Sequence, residues 1–110
     1  METTVLQSLA KKYGSPLYVY DAAKIISQYE RICNAFSGVA NLKVHFATKA
    51  LSNISVLKLF KSLDAGLDTV SIQEVLTGLK AGFAPQDIIY TPNGVSLEEI
   101  EKVAKMGVKI

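Results

Sequence analysis

"KVHFATKALSNISVLKLFKSLDAGLDTV", residues Lys43 to Val70, decides the fold. The span Lys43–Lys49 reads as a strand, a short apolar run closed by a lysine. Ser52 or Asn53 then offers a side-chain oxygen to the first amides of a helix. The apolar positions of that helix, Val56, Leu57, Phe60 and Leu63, recur at the three- and four-residue spacing of a single helical face. Gly66 is expected to close the helix in the left-handed conformation, and "GLDTV" resumes as a strand. Strand, helix and strand in so short a span form a βα unit, which implies parallel pairing.

The same cycle runs outward in both directions. Downstream, "SIQE" (Ser71–Glu74) fits a capping box that opens a helix with Ile72, Val75, Leu76 and Leu79 on its inner side, closed near Gly82. "DIIYTPN" (Asp87–Asn93) is a strand ending in turn residues. "SLEE" (Ser96–Glu99) is a second capping box, and Leu97, Ile100, Val103 and Ala104 form the inner face of the next helix before Gly107. "AGL", "AGF" and "MGV" are three similar helix exits, each a glycine followed by an apolar residue entering a strand. Upstream, "PLYVYD" (Pro16–Asp21) is an extended run, and Asp21 caps a helix with Ile25, Ile26, Tyr29, Ile32, Cys33 and Phe36 along one stripe. Strands beginning near positions 43, 67, 87 and 108 alternate with helices, so the fold class is α/β with a parallel sheet. Residues 1–20 are expected as an N-terminal extended segment and 21–110 as the first βα units of a barrel domain. Val108–Ile110 begins a strand that nothing completes, and parallel strands need both faces covered. The expectation is therefore the N-terminal part of a longer (β/α)8 protein, with the barrel incomplete in this chain.

Composition narrows the function classes. With 110 residues and 49% hydrophobic content, the chain can bury one modest core. Its 12 basic and 10 acidic residues are scattered, with no basic cluster interleaved with aromatics, so neither a nucleic-acid nor a membrane partner is expected. Cys33 is the only cysteine, which excludes an intrachain disulfide and a paired-cysteine metal site. It reads as a small core residue in a protein of a reducing, cytoplasmic compartment. No signal-peptide run and no membrane-length apolar stretch is present.

Lys49 is the residue that needs explaining. Strand alternation puts Lys43, His45, Ala47 and Lys49 on one face and Val44, Phe46 and Thr48 on the other. A lysine ending a strand is ordinarily a solvated charge. At the C-terminal rim of a barrel it would be partly desolvated, which favours its neutral, nucleophilic form. His45, the only histidine, has no acid or cysteine at catalytic spacing and reads as a packed residue.

Four segments carry a resemblance that bears on this choice: "YGSPLYVYD" (Tyr13–Asp21), "FATKALSN" (Phe46–Asn53), "AGLDTVSIQE" (Ala65–Glu74) and "AGFAPQDIIYTPNGVS" (Ala81–Ser96). In order and spacing they resemble motifs of the diaminopimelate decarboxylases, within the fold-type III, alanine-racemase-like pyridoxal-phosphate enzymes. The match departs from the family pattern at His45-Phe46 and at Leu51-Ser52, which separates Ala50 from Asn53. The resemblance implies that Lys49 forms a Schiff base with the cofactor, pyridoxal 5'-phosphate, and later assists proton transfer. It further implies that Asp68 lies beside that lysine in the cofactor site and could orient it. Glu74 could support the same carboxylates, although its capping box already explains it. The implied reaction is decarboxylation of an amino-acid substrate, meso-2,6-diaminopimelate, to L-lysine by a homodimer. Ornithine, arginine or carboxynorspermidine decarboxylase, alanine racemase, and a non-catalytic cofactor-binding module remain open as alternatives. The family's ring-stacking, phosphate-binding and substrate-binding elements fall beyond Ile110, so this chain alone is expected to be inactive.

Overall fold

A computed structural model describes all 110 residues, Met1–Ile110. Three short strands, β1 (His45–Ala47), β2 (Gly66–Thr69) and β3 (Ile88–Tyr90), form one parallel sheet in the order β1-β2-β3. Their register is His45 with Gly66, Ala47 with Asp68 and Asp68 with Ile89. Lys109 adds one isolated parallel bridge to Ile89 beside β3; Tyr90 N donates to Lys109 O at 2.7 Å. The expected α/β alternation and parallel pairing are thus present.

Five helices accompany the sheet: α1 (Thr3–Tyr13), α2 (Ala22–Ala35), α3 (Ile54–Ser62), α4 (Ile72–Ala81) and α5 (Leu97–Lys105). Short polar side chains start four of them. Asp21 Oδ1 accepts from Lys24 N at 3.1 Å, and Asn53 Oδ1, rather than Ser52, accepts from Ser55 N at 2.9 Å. Ser71 and Ser96 accept from Glu74 N and Glu99 N at 3.3 and 3.2 Å. Each bond satisfies an amide that the helix itself leaves without a partner.

The core lies between the sheet and α3–α5. Leu57, Leu67, Val75, Ile88, Tyr90 and Val103 are essentially fully buried. Phe46 stacks on Phe60, with centroids 4.1 Å apart, and Tyr29 meets Phe60 edge-on at 6.2 Å, which attaches α2 to β1 and α3. Leu76 and Leu97, expected inside, are 49% and 70% exposed, and Ala104 is also exposed. Ile100 and Met106 pack on the core beside Val103. Cys33, expected in the core, is only half-buried, because α2 buries no residue completely.

Two further expectations need correction. Residues 1–20 are not an extended segment throughout, since Thr3–Tyr13 is helical and closes at Gly14, whose φ is 88°. Helix-forming Leu, Gln, Ala and Lys run there without a breaker, but α1 buries nothing and so leaves little periodic signal. Pro16–Asp21 joins no strand. Gly66, in turn, does not close α3. The left-handed residue is Asp64, with φ 60°, and Gly66 lies inside β2. A Cβ there would strike the His45 ring and sit 2.8 Å from the Asp87 carbonyl oxygen, so close packing, not a turn, excludes a side chain. Gly82 and Gly107 do adopt positive φ, 96° and 76°. No helix is long and apolar enough to cross a membrane.

Candidate active site at the strand ends

Strand alternation sorts the sheet into two faces. Leu67, Thr69, Ile88 and Tyr90 point to the helices and are buried. His45, Ala47, Gly66, Asp68 and Ile89 share the other face, as their mutual register requires. In a parallel sheet all C-terminal strand ends lie at one rim, and that rim carries the polar residues: Lys49 just past β1, Asp68 near the end of β2 and Thr91 just past β3.

Lys49 is presented differently from the expected strand residue. β1 ends at Ala47, and Thr48–Ala50 form a 3-10 turn in which Leu51 N donates to Thr48 O at 3.0 Å. Thr48 is completely buried and anchors the turn, whereas Lys49 is exposed. The partial desolvation expected for Lys49 is therefore not found. Its amine takes part in none of the ion pairs, so no carboxylate competes for it. Asp68 is half-buried and lies within ion-pair distance of no cation, Lys49 included. Its Oδ1 accepts from the Thr91 hydroxyl at 2.6 Å.

Other polar groups secure the frame around this rim. Glu74 Oε2 accepts from Val70 N at 2.8 Å, one residue before the Ser71 cap, so only the Ser71 half of the expected capping box forms while the carboxylate still ties to its own helix start. Glu99 reaches further: Oε1 accepts from Tyr90 Oη at 2.6 Å and from Ile72 N at 3.1 Å, joining α5 to β3 and to the start of α4. Burial first, and the Glu99 carboxylate second, push the Tyr90 hydroxyl up to about 12. At the opposite ends of the strands, Lys43 Nζ meets Asp64 at 2.9 Å and Asp87 at 3.3 Å. Those contacts hold the Lys43 ammonium above its usual range, the Asp64 bond contributing most. His45 Nδ1 lies 3.3 Å from Lys43 O, while its buried Nε2 has no partner.

The largest concavity is not at the Lys49 amine. It is an open groove of about 400 Å³ between α2 and β1, walled mainly by apolar groups such as Ile25, Tyr29, Phe46 and Phe60. No cluster of three or more His, Cys, Asp or Glu side chains is arranged to hold a metal ion. Thr91 and Glu99 are the polar contributors that sequence reasoning missed. Thr91 follows the β3 run on the same alternation as Asp68 in β2, a cross-strand relation visible only once the register is known.

Comparison with known proteins identifies the family and the fold. Residues 22–110 match the pyridoxal-binding domain of the pyridoxal-dependent decarboxylases. A diaminopimelate decarboxylase of Methanothermobacter thermautotrophicus is 41% identical over 103 residues, 93% of this chain and 24% of that protein. The crystal structure of diaminopimelate decarboxylase from Helicobacter pylori complexed with L-lysine superposes with a TM-score of 0.85 at 36% identity, covering 94% of this chain and 26% of that one. A lysine/ornithine decarboxylase of Vibrio vulnificus complexed with putrescine shares the fold, with a TM-score of 0.86 at 23% identity over 96% of this chain and 28% of that one. The chain spans about a quarter of the length of the curated relatives it matches.

Proposed function

Because the chain belongs to the pyridoxal-dependent decarboxylases through their pyridoxal-binding domain, we propose that it is the N-terminal portion of a diaminopimelate decarboxylase. On this reading, residues 21–110 supply the first βα units of the cofactor-binding barrel. The reaction is release of carbon dioxide from meso-2,6-diaminopimelate to give L-lysine, in the cytoplasm and by a homodimer. The observation that carries the reading is the exposed Lys49 amine at the C-terminal end of β1, unpaired with any carboxylate. The 41% identity to a diaminopimelate decarboxylase supports the substrate.

The residues present fit pyridoxal phosphate. An accessible primary amine can condense with an aldehyde, and Asp68 stands at the neighbouring strand end to supply negative charge at the same rim. When bound, the cofactor supplies an electron sink for the pair left by departing carbon dioxide. Lys49 Nζ would hold the cofactor through its aldehyde, and as an amine at the strand end it would be placed to hold or pass a proton. Its backbone is fixed by the buried Thr48, so the amine moves on its own flexible stem above a rigid base.

The test is reductive trapping. After incubation with pyridoxal phosphate and reduction with borohydride, peptide mapping should find the pyridoxyl group concentrated on Lys49. Equal labelling of other exposed lysines, such as Lys58, Lys61 and Lys105, would overturn the assignment.

A further inference from the structure

Thr91 makes two kinds of contact with β2, and only one is needed to build the sheet. Its backbone N–H donates to Thr69 O at 2.8 Å, which already extends the ladder past the end of β3. Its hydroxyl has one proton to give and two acceptors nearby, Asp68 Oδ1 at 2.6 Å and Thr69 O at 3.5 Å. The short distance assigns the proton to the carboxylate, a charge-assisted bond. Asp68 has no cation to fix it, so this hydroxyl is the only side-chain group hydrogen-bonded to its carboxylate. Ala47, the register partner of Asp68, lies two positions before Lys49, so the carboxylate is held at the rim from which the lysine emerges.

We infer that Thr91 is a positioning residue: its hydroxyl sets the orientation of the Asp68 carboxylate at the strand-end rim, and thereby the charge that an aldehyde cofactor condensing with Lys49 would meet there. The inference rests on the reading of Lys49 as the cofactor-bearing lysine. A threonine serves here because its methyl restricts χ1, so the hydroxyl is presented in few directions. Serine retains the donor with more freedom, and valine retains the shape without the donor.

The experiment measures the rate of borohydride-trapped pyridoxyl label at Lys49 in the full chain, across a pH series, for the wild type, Thr91→Val, Thr91→Ser, Asp68→Asn and the Thr91→Val/Asp68→Asn double variant. Thr91→Val is expected to slow labelling of Lys49 by roughly tenfold, the scale of one charge-assisted bond partly transmitted. It should also change the shape of the pH profile while leaving Lys58 and Lys61 unchanged. Thr91→Ser should recover most of the rate, and the double variant should be no slower than Asp68→Asn alone. If the wild type labels Lys49 selectively but Thr91→Val matches it, or if Thr91→Val and Asp68→Asn add independently, the positioning role is wrong and the lysine assignment survives. Unselective labelling in the wild type removes both. Folding of each variant is checked by circular dichroism, and Thr91→Ser keeps the question decidable should Thr91→Val unfold.

Discussion

Replacing Glu99 by alanine strands two donors at once, and the structure sets how much each costs. Tyr90 is 1% exposed and its hydroxyl has Oε1, 2.6 Å away, as its one hydrogen-bond acceptor. A buried donor left without an acceptor costs about 1–3 kcal/mol. The Ile72 amide, 3.1 Å from the same oxygen, sits at a half-buried helix start that solvent can partly serve, and adds about 0.5–1 kcal/mol. Glu99→Ala should therefore destabilise the chain by about 1.5–4 kcal/mol. Tyr90→Phe should cost only about 1 kcal/mol, since the half-buried carboxylate it leaves behind can turn toward water. In the Tyr90→Phe background Glu99→Ala then loses only the amide contact, which predicts a coupling of about 1–3 kcal/mol between the two sites. Urea unfolding followed by far-ultraviolet circular dichroism on the four proteins of the cycle measures it. Coupling indistinguishable from zero, with Glu99→Ala costing under about 0.5 kcal/mol, would refute the claim that this carboxylate clamps β3, α4 and α5 together.

Three further outcomes follow from contacts already described. Gly66→Ala should destabilise by about 1–3 kcal/mol, because its Cβ meets the His45 ring and the Asp87 carbonyl. Adding His45→Ala should recover part of that in urea melts, and an unchanged midpoint for Gly66→Ala would contradict the packing. Lys43→Met should cost at most about 1 kcal/mol, since the ion pairs are partly exposed, and the difference from wild type should shrink in high salt; a loss that is insensitive to salt would argue against the pairing. Tyr29 and Tyr90 are both pushed up to about 12, chiefly by burial, from an ordinary value of 10.0. The unfolded chain then loses these protons first as pH rises, so their contribution is complete below about pH 10 and disappears on approaching pH 12. Spectrophotometric titration should show two of the five tyrosines ionising late, together with unfolding. Ionisation of Tyr29 and Tyr90 near 10 would show that neither hydroxyl is sequestered.

What was legible in the sequence was local. Asp21, Asn53, Ser71 and Ser96 each precede an apolar periodic run, and each caps the helix expected from it. The alternation of strands and helices followed from the same short-range signals. Interactions that depend on register were not legible. The role of Gly66 is decided by His45 on the adjacent strand. Thr91 and Asp68 are 23 residues apart, and the Glu99 carboxylate passes over its own capping box to reach an amide 27 residues earlier. At the rim, the position of Lys49 and its solvated charge were readable but the turn that presents it was not, because nothing in the run "HFATK" signals that β1 stops at Ala47. The helix at Thr3–Tyr13 escaped notice for the opposite reason: it packs against no core, so no apolar stripe was needed to form it.

Lys43 and Lys49 stand at opposite ends of the same short strand, and their surroundings divide it into two jurisdictions. Lys43 is clasped by Asp64 and Asp87, the residues that lead into the two neighbouring strands, so its charge is committed to architecture. Lys49 is left unclaimed. A substitution at Lys49 therefore leaves the clasp at the base of the strands untouched, whereas one at Lys43 releases two aspartates at once and is felt in stability alone.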